Sequence, residues 1–160
     1  GDGIFDLPAW QRAGGRWGLG SDSHATVNAA EDLMLLEYSQ RLHTRQRNVL
    51  ASAQHPDTAT AMTLAAVAGG AQACGRPVAG LAVGQQADFV ALDAQHLALD
   101  GLSGRDRLAS HVFASHRTSA VHSVWVGGQQ HVHAGRHGGH SPAAQAFIRV
   151  RRQLLSEATD

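Results

Sequence analysis

Gly20-Ser21-Asp22-Ser23-His24 is the stretch on which the reading of this chain turns. It follows Arg16-Trp17-Gly18-Leu19, a short and partly apolar run that reads as a buried strand, and it precedes a helical pattern opening at Asn28. A carboxylate just past the carboxyl end of a strand, before a loop and a helix, stands where α/β enzymes keep their chemistry. Asp22 is therefore the first candidate for a working residue. Aspartate also favours turns after strands, so local physics alone does not separate a reactive carboxylate from a turn former.

Outward from this segment, helix signals come in order. Before it, Ile4-Phe5-Asp6-Leu7-Pro8-Ala9-Trp10 enters a short helix with Leu7, Trp10 and Ala13 apolar, closed by Gly14-Gly15. After it, Asn28 caps and Glu31 stands three residues on, a capping-box arrangement. Leu33, Leu36, Leu42 and Val49 carry the apolar spacing of a helix expected to reach about Arg47. Arg41, Arg45 and Arg47 lie late in it, where cations suit the helix dipole, and read as a solvated basic face. Pro56 breaks the chain and Asp57 and Thr58 offer a second cap. A helix rich in small residues follows, with Gly75 as its stop and Pro77 beyond. Gly69-Gly70 inside that helix costs about 1 kcal/mol per glycine, a cost that close approach of another backbone at Gly69 would offset. Cys74 continues the apolar pattern and reads as a buried thiol.

Beyond Pro77 the character changes. Val78 to Gly84 is turn-rich, Ala87 to Asp93 alternates like a strand, and Arg105 to Ala114 is a helix candidate. Val121–Val126, Gly127-Gly128 and Gln129–Ala134 read as strand, hairpin turn and strand. Gly135 to Ser141 reads as a linker, and Pro142 opens a final helix carrying Phe147, Ile148, Val150, Leu154 and Leu155.

The totals exclude several classes. The 160 residues suffice for roughly one domain with a real core. Basic and acidic residues balance at 13 each, so the chain lacks the footprint for nucleic acid or an anionic membrane. Every one of those basic residues is arginine, which reads as coding bias. A single cysteine rules out an internal disulfide. No apolar run approaches the ~18 residues of a membrane span, and no signal peptide opens the chain. A cytoplasmic, soluble protein is expected.

The 11 histidines invite a metal reading. His131-Val132-His133 is an H-x-H pair on a strand, and residues i and i+2 share a face, so two imidazoles could share a zinc ion. Against this, the pair lies in a tight hairpin without a carboxylate or cysteine cluster, where a solvent-facing strand side is expected. His43, His55, His96, His111, His116 and His122 are scattered and read as surface. There is no nucleophile elbow, P-loop or dinucleotide fingerprint.

Gly20–His24, Glu31-Asp32-Leu33, Leu36-Glu37-Tyr38-Ser39-Gln40-Arg41-Leu42 and Arg45 to Leu50 together resemble the last barrel strand and following helix of the formimidoylglutamate deiminases, within the amidohydrolase superfamily. Gly69-Gly70-Ala71, Gly75, Gly80, Gly84, Ala87 to Asp93, Val124 to Gly128 and Gly135-Arg136-His137 resemble the stretch that leaves the barrel and builds its small β-sandwich. The resemblance implies an α/β fold: the carboxyl-terminal part of a (β/α)8 metal-dependent hydrolase barrel plus part of a small β-sandwich domain. Residues 1–75 would be the end of the barrel, 76–137 sandwich, and 138–160 a carboxyl-terminal helix.

It also implies a zinc site, or one for another divalent metal, whose ligands are an H-x-H after the first strand, histidines after later strands, and an aspartate after the eighth. Only that aspartate, Asp22, is carried here. It would ligate the metal, take a proton from water and pass it to the departing nitrogen of N-formimino-L-glutamate, leaving N-formyl-L-glutamate and ammonia. Ser23 and His24 would support it from outside the ligand shell, or stabilise the loop. The expected partners are a small-molecule substrate and, at full length, a second copy as a homodimer. The chain, opening on Gly1-Asp2-Gly3, looks like the last third of such an enzyme and is expected to be inactive by itself. Two alternatives stay open: another deaminase of the superfamily, with a purine, pyrimidine or guanidino substrate, and a non-catalytic, histidine-rich β module.

Overall fold

The computed structural model describes residues 3–22, 26–77, 80–114 and 118–157. The expected turns at Val78 and Ala79, and His116, lie outside them. Four helices form one packed layer, a small sheet follows, and a fifth helix ends the chain.

Helix α1 (Leu7–Arg12) starts where Asp6 accepts from the Ala9 N–H at 2.9 Å. Helix α2 (Ala29–Thr44) starts at Asn28, whose Oδ1 accepts from Ala30 N at 3.1 Å and Glu31 N at 3.5 Å. It stops short of Arg47 because Arg45 turns left-handed, φ 57°. Helix α3 (Thr58–Cys74) is capped by Asp57, which accepts from Thr60 N at 2.8 Å, and stopped by left-handed Gly75. Each boundary is a local solution to the unpaired amides and carbonyls of a helix end.

Strand β1 (Phe89–Leu92) leads to helix α4 (Gly104–Phe113), which folds back onto α2 and α3. The core is Leu7, Leu33, Leu50, Ala59, Met62 and Val112, flanked by Trp17, Leu36, Leu108 and Phe113. Burial of this kind contributes roughly 1.5–3 kcal/mol per large side chain.

Strands β2 (Val121–Val126), β3 (Gln129–His133) and β4 (Arg136–His137) continue from β1 as an antiparallel meander in chain order. Phe89 faces Trp125 across the first pair, their rings stacked at 4.6 Å. Gly127 and Gly128 both take positive φ, 58° and 77°, as a tight hairpin of this hand requires. Asp88 locks the turn by accepting from Gly127 N at 2.6 Å. Helix α5 (His140–Glu157) has Pro142 in its first turn and no buried residue. Among the described residues no helix is long and apolar enough to cross a membrane.

Several expectations need correction. Arg16–Gly20 pairs with none of the four strands and is mostly exposed, because a strand needs a neighbour and the sheet lies elsewhere. Cys74 is exposed, past the last buried residue of α3, Ala71. The expected linker 135–141 instead holds β4 and the start of α5.

Arg41 is not a solvated cation. Its Nε donates to Glu37 at 2.7 Å, and its guanidinium lies over the rings of Tyr38 and Phe113 at 5.2 and 5.7 Å. Glu37 is 0% exposed and also accepts from Val49 N at 3.1 Å and Leu50 N at 3.0 Å. One carboxylate thus holds the chain that leaves α2.

Candidate active site

The Arg16–Gly18 stretch that leads to Asp22 is seated on α3. A Cβ added at Gly69 would overlap the Trp17 carbonyl, and a Cβ added at Gly18 would lie 3.1 Å from the Gly70 backbone. The close approach expected at Gly69 is therefore present, and its partner is the segment that leads to Asp22. Two side-chain bonds fix the same segment: the Trp10 indole donates to Arg16 O at 2.9 Å, and Arg16 donates to Gln72 Oε1 at 2.9 Å.

Asp22 follows as an exposed turn residue with φ 39°. Aspartate tolerates that left-handed conformation better than most residues. Ser23 and His24 lie outside the described residues. Clefts open on both sides of the segment. One of about 610 Å³ is lined by Trp10, Arg16, Trp17, Gly69 and Gln72. The other, of about 540 Å³ and more apolar, is lined by Phe5, Trp17, Leu19, Leu35, Leu36 and Ser39.

Chemically, Asp22 offers an anionic oxygen donor that a divalent cation or a proton can use. It fits as one ligand of a metal and does not make a site alone. Among the described residues no group of three or more histidine, cysteine, aspartate or glutamate side chains is placed to hold an ion.

The H-x-H pair is split by a bulge. Val124 pairs with Val132 and Trp125 with Gln130, so His131 is the extra residue. Its ring stacks with His137 at 6.3 Å, while His133 meets His122 at 5.6 Å. Gly139 N donates to His137 Nδ1 at 3.0 Å, which engages that nitrogen. Both residues of the pair are solvent-exposed, as expected of this strand side.

Among the described residues two groups depart from their ordinary acidity. The Gly127 amide, followed by the Gln86 amide, holds Asp88 below the usual carboxylate value. Burial, then the neighbouring His96, pushes His111 below the usual imidazole value. Both serve the packing of the β segment and α4. The sequence reading of His111 as a surface residue is corrected, since it lies partly buried on α4. Asp88 was not singled out, although its place before a strand with a Gly-Gly hairpin downstream is a usable signal.

Comparisons with known proteins place the chain in a family. The model of the amidohydrolase family matches residues 1–131. Formimidoylglutamate deiminase of Pseudomonas aeruginosa is 42% identical over 155 residues, covering 97% of this chain and 34% of that protein. The crystal structure of an amidohydrolase from Brucella melitensis superposes with a TM-score of 0.87 at 41% identity, over 96% of this chain and 33% of that one. The chain spans about a third of the length of these relatives. A family model that matches most of the chain and a relative at this identity lead to one conclusion: the chain belongs to the amidohydrolase family.

Proposed function

We propose that this chain is the carboxyl-terminal third of a metal-dependent hydrolase that deiminates N-formimino-L-glutamate to N-formyl-L-glutamate and ammonia. The 42% identity to a formimidoylglutamate deiminase across nearly the whole chain carries the reading. In it, residues 1–75 complete a (β/α)8 barrel, 76–137 contribute to a β-sandwich, and 138–160 form the terminal helix. The open clefts beside Arg16–Gly20 support it, since a barrel strand needs a neighbour on each edge.

Asp22 is the residue here that would hold the metal, zinc or another divalent ion, with the remaining ligands upstream. The metal, when bound, supplies the Lewis acidity that brings the pKa of water to near 7. Asp22 then works as a proton carrier. It takes one proton from the water whose oxygen bonds to the formimino carbon and passes it to the imino nitrogen. It then passes on the second proton of that oxygen as the carbon–nitrogen bond breaks, so that the nitrogen leaves as ammonia and the oxygen stays as the formyl carbonyl. A carboxylate suits both steps because it is anionic at neutral pH and reaches both atoms from one position. The exposure of Asp22, at the rim of the segment, leaves its oxygens available for this work.

The test is ammonia release by the full-length polypeptide and its Asp22→Asn variant. Turnover of formiminoglutamate that disappears in the folded variant supports the proposal. A variant that keeps wild-type turnover refutes the role of Asp22. A full-length enzyme that prefers a purine, pyrimidine or guanidino compound refutes the substrate. Turnover by the isolated 160 residues would refute the reading of this chain as one part of the site.

A further inference from the structure

We propose that Gly69 is a positioning residue for Asp22. The backbone notch it leaves on α3 sets how deeply the Arg16–Gly20 segment sits, and therefore where the Asp22 carboxylate is presented. The inference rests on the reading of Asp22 as a metal ligand and deepens it.

The argument starts from a cost. A glycine inside a helix is unfavourable by about 1 kcal/mol against alanine, and α3 carries two in succession, Gly69 and Gly70. They are not equivalent. A Cβ on Gly70 would meet nothing within 4 Å, so its side-chain position is open. A Cβ on Gly69 would collide with the Trp17 carbonyl and with the Trp17 nitrogen at 2.9 Å. These are backbone atoms and cannot step aside as a flexible side chain would. Gly18, opposite, is graded between the two, since its Cβ would lie 3.1 Å from Gly70 Cα and N. Gly69 itself is buried.

The contact lies upstream of the site by a short and definite length. From Trp17 to Asp22 the chain spans at most about 18 Å. Within the described residues Arg16–Gly20 belongs to no ladder, and it is held by the α3 backbone, by the Trp10 and Gln72 side chains and by the packing of Trp17 against the core. A methyl group at Gly69 would lift the Trp17 carbonyl off the helix, and the displacement would pass to the Asp22 turn. Metal ligation is sensitive to such shifts, because ligand distances are held to about 0.2 Å.

The experiment compares Gly70→Ala, Gly18→Ala, Gly69→Ala and Asp22→Asn in the full-length polypeptide. Each variant is stripped of metal and titrated with zinc, and kcat and KM are then measured for formiminoglutamate. Zinc affinity should be that of wild type in Gly70→Ala, intermediate in Gly18→Ala, and weaker by about tenfold or more in Gly69→Ala, the scale seen when support of a ligand is lost. In Gly69→Ala kcat should fall while KM stays near wild type, because the notch acts through the placement of Asp22 and not through a group that binds the substrate. A folded Gly69→Ala protein with wild-type zinc affinity and kcat overturns the inference, even if its melting temperature has dropped. If Gly69→Ala does not fold, Gly18→Ala decides, and identity with Gly70→Ala in both readouts overturns it. Wild-type zinc affinity in Asp22→Asn would instead sink the ligand reading, and this inference with it.

Discussion

Replacing Glu37 by leucine is expected to destabilise the protein by about 2–4 kcal/mol. The carboxylate is completely buried and has three donors: Arg41 Nε at 2.7 Å, Val49 N at 3.1 Å and Leu50 N at 3.0 Å. Leucine fills most of the volume and opens little cavity, so its cost isolates the lost acceptor. The Leu50 amide is buried and the Val49 amide partly so. A buried donor left without a partner costs about 1–3 kcal/mol, with Leu50 at the upper end and Val49 at the lower. The Arg41 side chain is 31% exposed and recovers hydration when its partner goes, so the ion pair itself adds no more than about 1 kcal/mol. Glu37→Gln keeps one acceptor oxygen for Leu50 and should lose roughly half as much. The assay is urea denaturation of the three proteins, with the midpoint shift converted through the common slope. A Glu37→Leu protein within about 0.5 kcal/mol of wild type, at the bottom of the range for a single net hydrogen bond, would refute the claim that this carboxylate anchors the exit of α2.

Two further outcomes follow from local features. Asn28→Ala removes the acceptor for Ala30 N and Glu31 N and should cost about 1 kcal/mol in a denaturant titration, whereas Asn28→Ser should recover most of it. His111 is held below its ordinary value of 6.5 by burial and then by His96, so the folded state binds its proton less readily than the unfolded state. Its contribution to stability is therefore complete above that ordinary value and is lost as pH falls toward the folded pKa. His111→Gln should flatten the stability profile on the acid side of that value, and an unchanged slope would remove His111 from the account.

The parts of this fold legible in the sequence are those decided within three or four residues. Asn28 and Asp57 cap their own helices, Gly75 stops α3, and Gly127-Gly128 turns the hairpin. In each, the group that needs a partner and the group that supplies it are neighbours in the chain, so spacing alone reveals them. The same applies to the family: segments such as Gly20–His24 and Glu37–Leu42 are short patterns, and the likeness they suggested is the one the comparisons returned. Arg45 shows the limit even of local rules, since a residue with good helix propensity ends α2 by turning left-handed.

What needed tertiary structure concerns partners far apart in sequence. Arg41 reads as a surface cation and is half-buried instead, because Glu37, turned inward to accept from Val49 and Leu50, pairs with it and Phe113 arrives from α4 beneath it. Cys74 follows an apolar pattern and is exposed, because it stands past Ala71, the last buried residue of α3. His131 and His133 share a spacing but not a partner, because a bulge separates them. Asp22 stands between the two cases. Its identity as the candidate residue came from the pattern around it, since a carboxylate after a strand-like run is a local signal. Its placement came from Gly69, a residue far along the chain, because only folding brings a helix backbone without a side chain under the Trp17 carbonyl.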